Sequence, residues 1–264
     1  MIRPITKQPG FTLAEMAVAL AIAGLMLGGL IPTLSSQMEQ RKTSETRKQL
    51  DEIQQALVGF AIANGRLPCP ASDSPASQGQ ESFCTAATGA CVATTTFQSH
   101  GRCSNFYNGL VPAATLGISP VDAQGYLLDG WGNRIRYAVA GNTINSVENA
   151  LTRLNGMQSA TMGNIANASL LNICISSTGI TGSDCGAASN KLTDKVPALI
   201  YSTGKNGGYG GSGADEAANL DGNRVFVSHA PTPGTAANGE FDDLVIWLSP
   251  NILFNRMVAA GKLP

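Results

Sequence analysis

The chain opens with a long apolar segment that passes into an amphipathic one. Residues 11–34 contain Glu15 as their only charged side chain, and a helix of that length measures about 36 Å, enough to cross a hydrocarbon core of about 30 Å. Across residues 35–64, apolar side chains recur at helical spacing with charged side chains between them. The two patterns predict one helix over 11–64, half membrane-spanning and half amphipathic, with Gly65 near its end.

The remaining residues, 65–264, carry the short apolar patterns of a turn-rich globular domain. Each predicted strand is short, β-branched or aromatic, and bounded by Gly, Asn, Asp or Pro. The five predicted strands are 135–139, 171–176, 198–203, 224–228 and 244–248. Helices are predicted at 147–154, after Ser146, and at 251–260, after Ser249 and Pro250. The expected fold class is α+β, with an antiparallel sheet packed on the long helix.

Composition separates this chain from nucleic-acid-binding and disordered proteins. Lys and Arg number 17 and Asp and Glu 18, so the chain lacks the basic balance that phosphate contacts require. Hydrophobic residues make up 43%, enough for a core, while charged residues make up only 13%, against about 25% in ordinary soluble domains. Low charge and six cysteines, an even number, are common in exported proteins.

The residues before the apolar segment indicate how it is oriented and processed. Arg3 and Lys7 are the only charges there, and the positive-inside rule keeps this end cytoplasmic. The apolar run is longer than in a cleavable signal peptide and no small-residue cleavage site follows it. A lipoprotein signal is excluded because the first cysteine is Cys69. The change of character lies instead between Gly10 and Phe11.

The single acid in the apolar segment needs a physical explanation. A carboxylate at the centre of a membrane helix costs roughly 2.5–3.5 kcal/mol. Either Glu15 lies at headgroup depth and is solvated, or it pairs with a cation that a partner supplies. The residues alone leave both interpretations open.

The sequence KQPG-FTLAEMAVALAIAGLMLGGL resembles the class III signal of type IV pilins and type II secretion pseudopilins. The resemblance implies that prepilin peptidase cuts between Gly10 and Phe11, so that residues 1–10 are a leader peptide, and that Phe11 is then methylated. It also implies that Glu15 faces the amino-terminal amine of a neighbouring subunit during filament assembly.

The same resemblance implies a fold, partners and a location. The fold is pilin-like, with the long helix packed on an antiparallel sheet domain. The partners are prepilin peptidase, other pilin or pseudopilin subunits and an inner-membrane assembly platform. The chain is expected to cross the inner membrane once, with residues 65–264 as a globular domain in the periplasm, and then to enter a pilus or pseudopilus.

Six cysteines lie in the globular domain. The full set is Cys69, Cys84, Cys91, Cys103, Cys174 and Cys185. None forms a C-x-x-C pair and the chain has only two histidines, so disulfides beyond the membrane are favoured over a zinc site. Cys174 and Cys185 are expected to close one loop because they are near in sequence. The other four are expected to cross-link residues 66–110, with their connectivity open.

Two stretches of the globular domain resemble major pseudopilins. Residues 129–137 resemble the Asp-x-Trp-Gly-Asn-Pro-x-x-Tyr stretch of that family, with Arg134 where the proline usually stands. We interpret this stretch as a turn and core packing. Residues 201–221 resemble the strand and glycine-rich loop that holds calcium in that family, which makes Asp215 and Asp221 candidate ligands. Asn206 stands where the family has an acid and the loop is longer here, so a plain flexible loop is the alternative.

Asp242 and Asp243 come directly before the predicted strand 244–248. Residues 65–71 and 242–249 resemble a large subgroup of bacterial prepilin-like proteins. The two acids are expected to cap a turn, and a metal role is the alternative.

These features favour one of three classes of function. The favoured one is a structural subunit, a minor pilin or pseudopilin assembled through its long helix. The alternative is a tip adhesin or substrate-recognition module, with 72–110 and 204–222 as contact surfaces. A membrane-tethered enzyme lacks support because the chain has two histidines, no nucleophile elbow and no catalytic carboxylate pair. An enzyme is therefore not expected.

Overall fold

The computed structural model describes residues 10–263 except 160, 161, 167 and 212, and it does not describe the side chains of 27–34, 159, 166 and 209. The predicted leader peptide therefore lies outside the described residues apart from Gly10. Along the chain there are two compact units, Met1–Ser44 and Glu45–Pro264.

One helix, α1, covers Leu13–Asn64 and so begins two residues later than predicted and ends at the predicted residue. Its start is fixed by Thr12, whose Oγ1 accepts the N–H of Glu15 at 3.3 Å. Its end is fixed by Gly65, which adopts a positive φ of 66° and donates its N–H to the carbonyl of Ala61 at 2.8 Å. A left-handed residue at this position is the usual way in which a helix closes.

The first unit exposes its apolar side chains. Leu13, Leu20, Leu25 and Met26 are each at least 65% exposed. Among the described residues, no helix is both long and apolar enough for a membrane crossing. The predicted membrane-spanning half, 11–34, includes the side chains of 27–34, which lie outside the described ones.

In the second unit, one face of α1 packs into the main core. Leu50, Ile53 and Leu57 are at most 1% exposed, and they are members of the apolar stripe that the sequence predicted. Thr46, which interrupts that stripe, is also fully buried, and its Oγ1 accepts the N–H of Gly130 at 2.9 Å. The hydroxyl gives a partly buried backbone donor its partner, which explains a polar residue on an apolar face.

The larger sheet has four antiparallel strands in the order β3-β4-β7-β9. The strands are β3 (Gly109–Leu110), β4 (Arg136–Val139), β7 (Ala198–Ser202) and β9 (Leu244–Leu248). The last three lie inside predicted strands. A short helix, α2 (Ala113–Leu116), follows β3.

A second sheet has three strands in the order β6-β5-β8. The strands are β5 (Leu171–Cys174), β6 (Lys191–Val196) and β8 (Val225–Val227). The pair β5 and β8 is parallel, which departs from the purely antiparallel arrangement that we expected. Strand β6 was not predicted, because two lysines and an aspartate hide its alternation, but such charges are typical of a sheet edge. A two-residue hairpin, β1 (Phe83–Cys84) with β2 (Ala93–Thr94), stands apart.

Three further helices complete the second unit: α3 (Met162–Ala166), α4 (Ala214–Leu220) and α5 (Pro250–Ala259). The predicted helix at 251–260 is thus confirmed, with proline in its first turn. The predicted helix at 147–154 is wrong: Ser146 and Asn149 adopt positive φ angles of 63° and 52°, and the residues form turns. Left-handed backbone is incompatible with a right-handed helix.

The cysteines pair as three disulfides: Cys69–Cys103, Cys84–Cys91 and Cys174–Cys185. The last is the pair that sequence proximity favoured, and the other two lie within the segment where cross-links were expected. Next to Cys69, a bidentate ion pair joins Arg66 to Glu81 at 2.6 and 2.8 Å, and both residues are less than 10% exposed. A disulfide and a buried ion pair therefore fasten the chain where it leaves α1.

Candidate functional site

The predicted processing site lies at the described start of the chain and is accessible. Gly10 is exposed, and a Cβ atom added to it would meet no atom within 4 Å. Phe11 is 85% exposed. A peptidase could therefore reach the bond between them, and the absence of a side chain at Gly10 is not required by packing within the chain.

Glu15 forms a reciprocal capping arrangement at the first turn of α1. Its Oε2 accepts the backbone N–H and the hydroxyl of Thr12, each at 2.8 Å, while the hydroxyl of Thr12 accepts the N–H of Glu15. This is a capping box, which satisfies backbone donors that a helix start leaves unpaired. The side chain thus has a local role that the sequence analysis missed, although the spacing Thr-x-x-Glu is its signature.

The two predicted calcium ligands have separate partners. Asp215 is 5% exposed and accepts hydrogen bonds from the N–H of Ser177 at 2.6 Å and the amide of Asn238 at 3.0 Å, and it lies 3.0 Å from Nε2 of His229. Burial alone would raise the pKa of Asp215, but these partners outweigh it and leave the pKa lowered. Asp221 is exposed and accepts the N–H of Asn223 at 2.9 Å.

Within the described part of the chain, one group of acids has metal-binding spacing: Glu216, Asp242 and Asp243, whose oxygen atoms lie within 4.8 Å of one another. We call these three residues the acidic cluster. Glu216 comes from the first turn of α4, and the two aspartates immediately precede β9. Asp215 and Asp221 are not members. The structure therefore brings together the aspartates for which the sequence left a metal role open, with a glutamate that was not among the candidate calcium ligands.

Two acids of the cluster, Glu216 and Asp242, also accept hydrogen bonds from backbone N–H groups. Glu216 is 1% exposed and accepts the N–H of Gly213 at 3.2 Å and of Asp242 at 3.0 Å. Asp242 accepts the N–H groups of Lys205 and Asn206 at 3.1 and 3.3 Å, which is the turn-capping role that the sequence predicted for it. The cluster thus ties the glycine-rich loop to α4 and β9.

Asn219 links the cluster to both larger sheets. Its Nδ2 donates to Asp243 at 2.7 Å and to the carbonyl of Val227 at 3.1 Å, while its Oδ1 accepts the N–H of Val227 at 2.7 Å. Its backbone carbonyl accepts the hydroxyl of Tyr201, on β7, at 2.7 Å. Since Asn219 is 1% exposed, these bonds hold the cluster in a fixed position between β7 and β8.

Burial and mutual repulsion disfavour full ionisation of the cluster. Burial, together with the charge of Glu216, raises the pKa of Asp242 from 3.8 to about 6. Burial also raises the pKa of Asp243 to about 8, and the charges of Glu216 and Asp242 add to the effect. The hydrogen bond from Asn219 opposes this rise without cancelling it.

The cluster has the donor chemistry that a calcium ion requires. All its donors are oxygen atoms, which calcium prefers. Oδ1 of Asp242 and Oδ1 of the neighbouring Asn206 are shielded from solvent and lack a hydrogen-bond partner. Gly204 has a positive φ of 63°, and a Cβ atom there would overlap with Oδ1 of Asp242, so only glycine leaves that oxygen its place. Calcium would be held by the acidic cluster and would neutralise its charge.

The Asp129–Asn133 turn has the structural role that the sequence predicted. One carboxylate oxygen of Asp129 accepts the N–H groups of Trp131 and Asn133 at 2.9 and 2.8 Å. The other accepts the hydroxyl of Ser202 at 2.5 Å. Asn133 then donates to the carbonyl of Gly204 at 2.6 Å. The turn therefore supports the start of the glycine-rich loop.

The comparisons with known proteins concern the start of the chain. Residues 5–31 match the model of the prokaryotic N-terminal methylation motif, the signature of type IV pilins and pseudopilins. No curated protein and no solved structure matches the chain. The motif supports a protein of the type IV pilin-like or pseudopilin class, and a motif of this kind implies processing by prepilin peptidase and assembly with other pilins. The motif points to a structural subunit.

Proposed function

We propose that the protein is a minor subunit of a type IV pilus or a type II secretion pseudopilus, cleaved between Gly10 and Phe11 and assembled through α1. The observation that carries the proposal is the methylation motif at residues 5–31, in which Glu15 is the only acid. The large second unit with its three disulfides supports a minor position, because a major shaft subunit is expected to be smaller.

Assembly depends on two properties of the first unit: its exposed apolar side chains and the charge of Glu15. Its exposed apolar side chains would be covered by lipid before assembly and by neighbouring α1 helices afterwards. Cleavage creates a positively charged amine at Phe11, and Glu15 of the neighbouring subunit neutralises it. In a low-dielectric environment the attraction between the two charges is stronger than in water. Either charge left there without its partner would carry a large desolvation cost. An assembly ATPase on the inner-membrane platform supplies the work.

The test substitutes the acid and follows the subunit from membrane to filament. Glu15→Gln keeps the shape of the side chain and removes its charge, so the capping bond to Thr12 can persist while the amine loses its partner. We expect normal processing and membrane association, with the subunit at least tenfold reduced in the sheared filament fraction. Glu52→Gln is the matched control, because Glu52 is exposed and its contact with Lys48 measures 3.7 Å. Normal incorporation of Glu15→Gln would refute the assembly role.

A recognition role is the second candidate, favoured by one exposed loop. Cys84–Cys91 closes a short loop in which residues 85–90 are all exposed. The guanidinium group of Arg102 stabilises this loop by donating hydrogen bonds to the carbonyls of Ala86 and Gly89, at 3.2 and 2.8 Å. A rigid, exposed loop is suited to contact with a partner. Replacing residues 85–90 by Gly and Ser should abolish surface or substrate binding by assembled filaments, and unchanged binding would remove this candidate.

A further inference from the structure

Strand β9 is an edge of the larger sheet that lacks the usual protection of an edge. It pairs with β7 on one side, and among the described strands none pairs with its other side. Its sequence, LVIWL, contains no charged residue, and its register with β7 is regular. Sheet edges are normally protected by charges, prolines or bulges, as the lysines of β6 illustrate. An apolar edge without these features indicates that another segment covers it.

The open side of β9 offers backbone groups to such a segment. The carbonyl of Trp247 points away from β7, since it accepts the side-chain amide of Gln54, on α1, at 2.9 Å. In an antiparallel pair, residues two apart in a strand direct their backbone groups to the same side. The N–H and C=O of Val245 therefore also face away from β7. A segment aligned with β9 at this point would gain main-chain hydrogen bonds.

A groove runs along this edge, between β9 and α1. Its first part has a volume of about 430 Å³ and is lined by the start of β9, by residues 228–231, and by Arg47 and Asp51 on α1. Its second part, of about 520 Å³, continues along α1 from Gln54 to Ile62 and is bounded by the end of β9 and by α5. The helix residues that line the two parts recur three or four positions apart, so they share one face of α1. The groove therefore extends along the whole of β9.

The lining of the second part indicates the chemistry of an occupant. Val58, Ile62 and Ile252 make it apolar, and Ile252 is 52% exposed. Gly59 also lines it, and a Cβ atom there would meet no atom within 4 Å. Glycine inside a helix is destabilising, but here it leaves room for a backbone to approach. Of the described residues that line this part, only Arg256 is charged, and it forms no salt bridge. An apolar segment with a carboxylate beside Arg256 would complement this lining.

We propose that an extended segment of a neighbouring filament subunit, apolar and with a carboxylate near one end, binds in this groove and pairs with β9 through Val245. A helix is not suited to this position, because the N–H and C=O groups in its middle already bond within the helix. The identity of the partner rests on the proposed function, since assembly is what brings another pilin-class subunit to this surface. The contact itself is new, because it lies outside the methylation motif and does not involve Glu15.

The experiment uses photo-cross-linking of the full chain in cells that assemble the filament. The photoreactive amino acid p-benzoylphenylalanine replaces Gln55, an exposed residue that lines the groove. Mass spectrometry then identifies the cross-linked protein and the segment that is attached. We expect an extended segment of a subunit that carries the methylation motif. The same amino acid in place of Leu192, which is 47% exposed on β6, is the control and should give clearly less of this product.

Two substitutions test the main-chain pairing and the charge. Val245→Pro removes the N–H that faces the groove, whereas the bonds to β7 come from other residues of β9, so the fold should persist. Loss of this hydrogen bond should lower the cross-link yield by about fivefold, while Val245→Ala, which keeps the N–H, should retain the yield. Arg256→Glu leaves the backbone unchanged and should lower the yield to a similar extent, because the carboxylate of the occupant would then meet a like charge. It keeps the test decisive if melting shows that Val245→Pro is unfolded.

Three results would overturn the proposal. They are the absence of a cross-link from position 55, a cross-link to a helix or to a protein without the methylation motif, and a yield that both Val245→Pro and Arg256→Glu leave unchanged. Glu15→Gln separates this contact from the proposed function. Normal incorporation of Glu15→Gln, with a cross-link that still depends on Val245, would refute the assembly role of Glu15 and support the pairing at β9. Impaired incorporation of Glu15→Gln, with a cross-link in the wild type that neither groove variant lowers, would refute the pairing alone.

Discussion

Substitution of Asp243 by asparagine should remove a pH dependence that is built into the acidic cluster. Asp243 is 5% exposed, and its pKa is about 8 in the folded protein instead of the ordinary 3.8. In chelator, where no calcium is bound, the folded chain therefore keeps a proton on Asp243 that the unfolded chain has already lost. Between pH 4 and pH 8 the folded state holds the extra proton, so each rise in pH lowers the free energy of unfolding.

The interval from pH 6 to pH 8 isolates this residue within the cluster, because Asp242, with a pKa of about 6, contributes mainly below it. One extra proton changes the free energy of unfolding by at most about 1.4 kcal/mol per pH unit, hence by about 3 kcal/mol over two units. In a domain of this size, 1 kcal/mol corresponds to about 2–4 °C in Tm. Between pH 6 and pH 8, the Tm of the wild type should therefore fall by at most about 6–12 °C.

The assay is thermal melting of the full chain in chelator, followed by circular dichroism at pH 6 and pH 8. Asp243→Asn can still accept the hydrogen bond from Asn219 through its side-chain oxygen, and it carries no charge at either pH. We expect the wild type to lose several degrees between the two values and Asp243→Asn to lose clearly less, with Asp221→Asn following the wild type. An equal loss in the wild type and Asp243→Asn would refute the reasoning.

Three further predictions concern other parts of the molecule. Gly10→Ala should block cleavage and leave a precursor about ten residues longer on immunoblots, because the peptidase site carries glycine at this position; normal maturation would refute it. Cys69→Ser should lower the free energy of unfolding by about 2–5 kcal/mol in denaturant titrations, since its disulfide closes a long loop; a change below 1 kcal/mol would contradict this. Thr46→Val should cost about 1–3 kcal/mol because the N–H of Gly130 loses its acceptor, while Thr46→Ser should retain most of the stability; equal stability of the two variants would exclude the hydrogen bond as the cause.

The sequence predicted those elements whose local pattern and tertiary environment agree. Helix α1 was found to within two residues because its stripe of Leu50, Ile53 and Leu57 is the face that packs into the core. Strands β7 and β9 are short apolar runs between turn residues, and they lie centrally or against α1 in the fold. In these segments the pattern along the chain and the final burial are set by the same side chains.

The predictions that failed concern segments whose secondary structure is determined by contacts with residues distant in the sequence. Strand β6 carries charges because it is an edge, so alternation alone could not reveal it. The 147–154 segment has helix-compatible composition, but the antiparallel bridge between Ile144 and Val147 and the left-handed Ser146 impose turns. No local pattern reports such a bridge.

The acidic cluster shows the same limit for site residues. Asp242 and Asp243 attract attention as neighbours in sequence, but Glu216 lies 26 residues before Asp242 and looks like an ordinary acid in the first turn of a helix. Its meeting with the aspartates follows from the packing of α4 against β8 and from the hydrogen bonds that join α4 to Asp242 and Asp243, just before β9. Conversely, Asp215 and Asp221 follow a loop that resembles a calcium-holding loop, yet folding gives each of them other partners.

The position of α5 in chain order has a consequence for when the protein can fold. Leu253, Phe254 and Met257 are at most 2% exposed and complete the main core, although every strand precedes them in the chain. Until the ribosome has made residues 250–259, the part of the main core that these three side chains fill stays open. The second unit can therefore complete its core only after its last helix has been made.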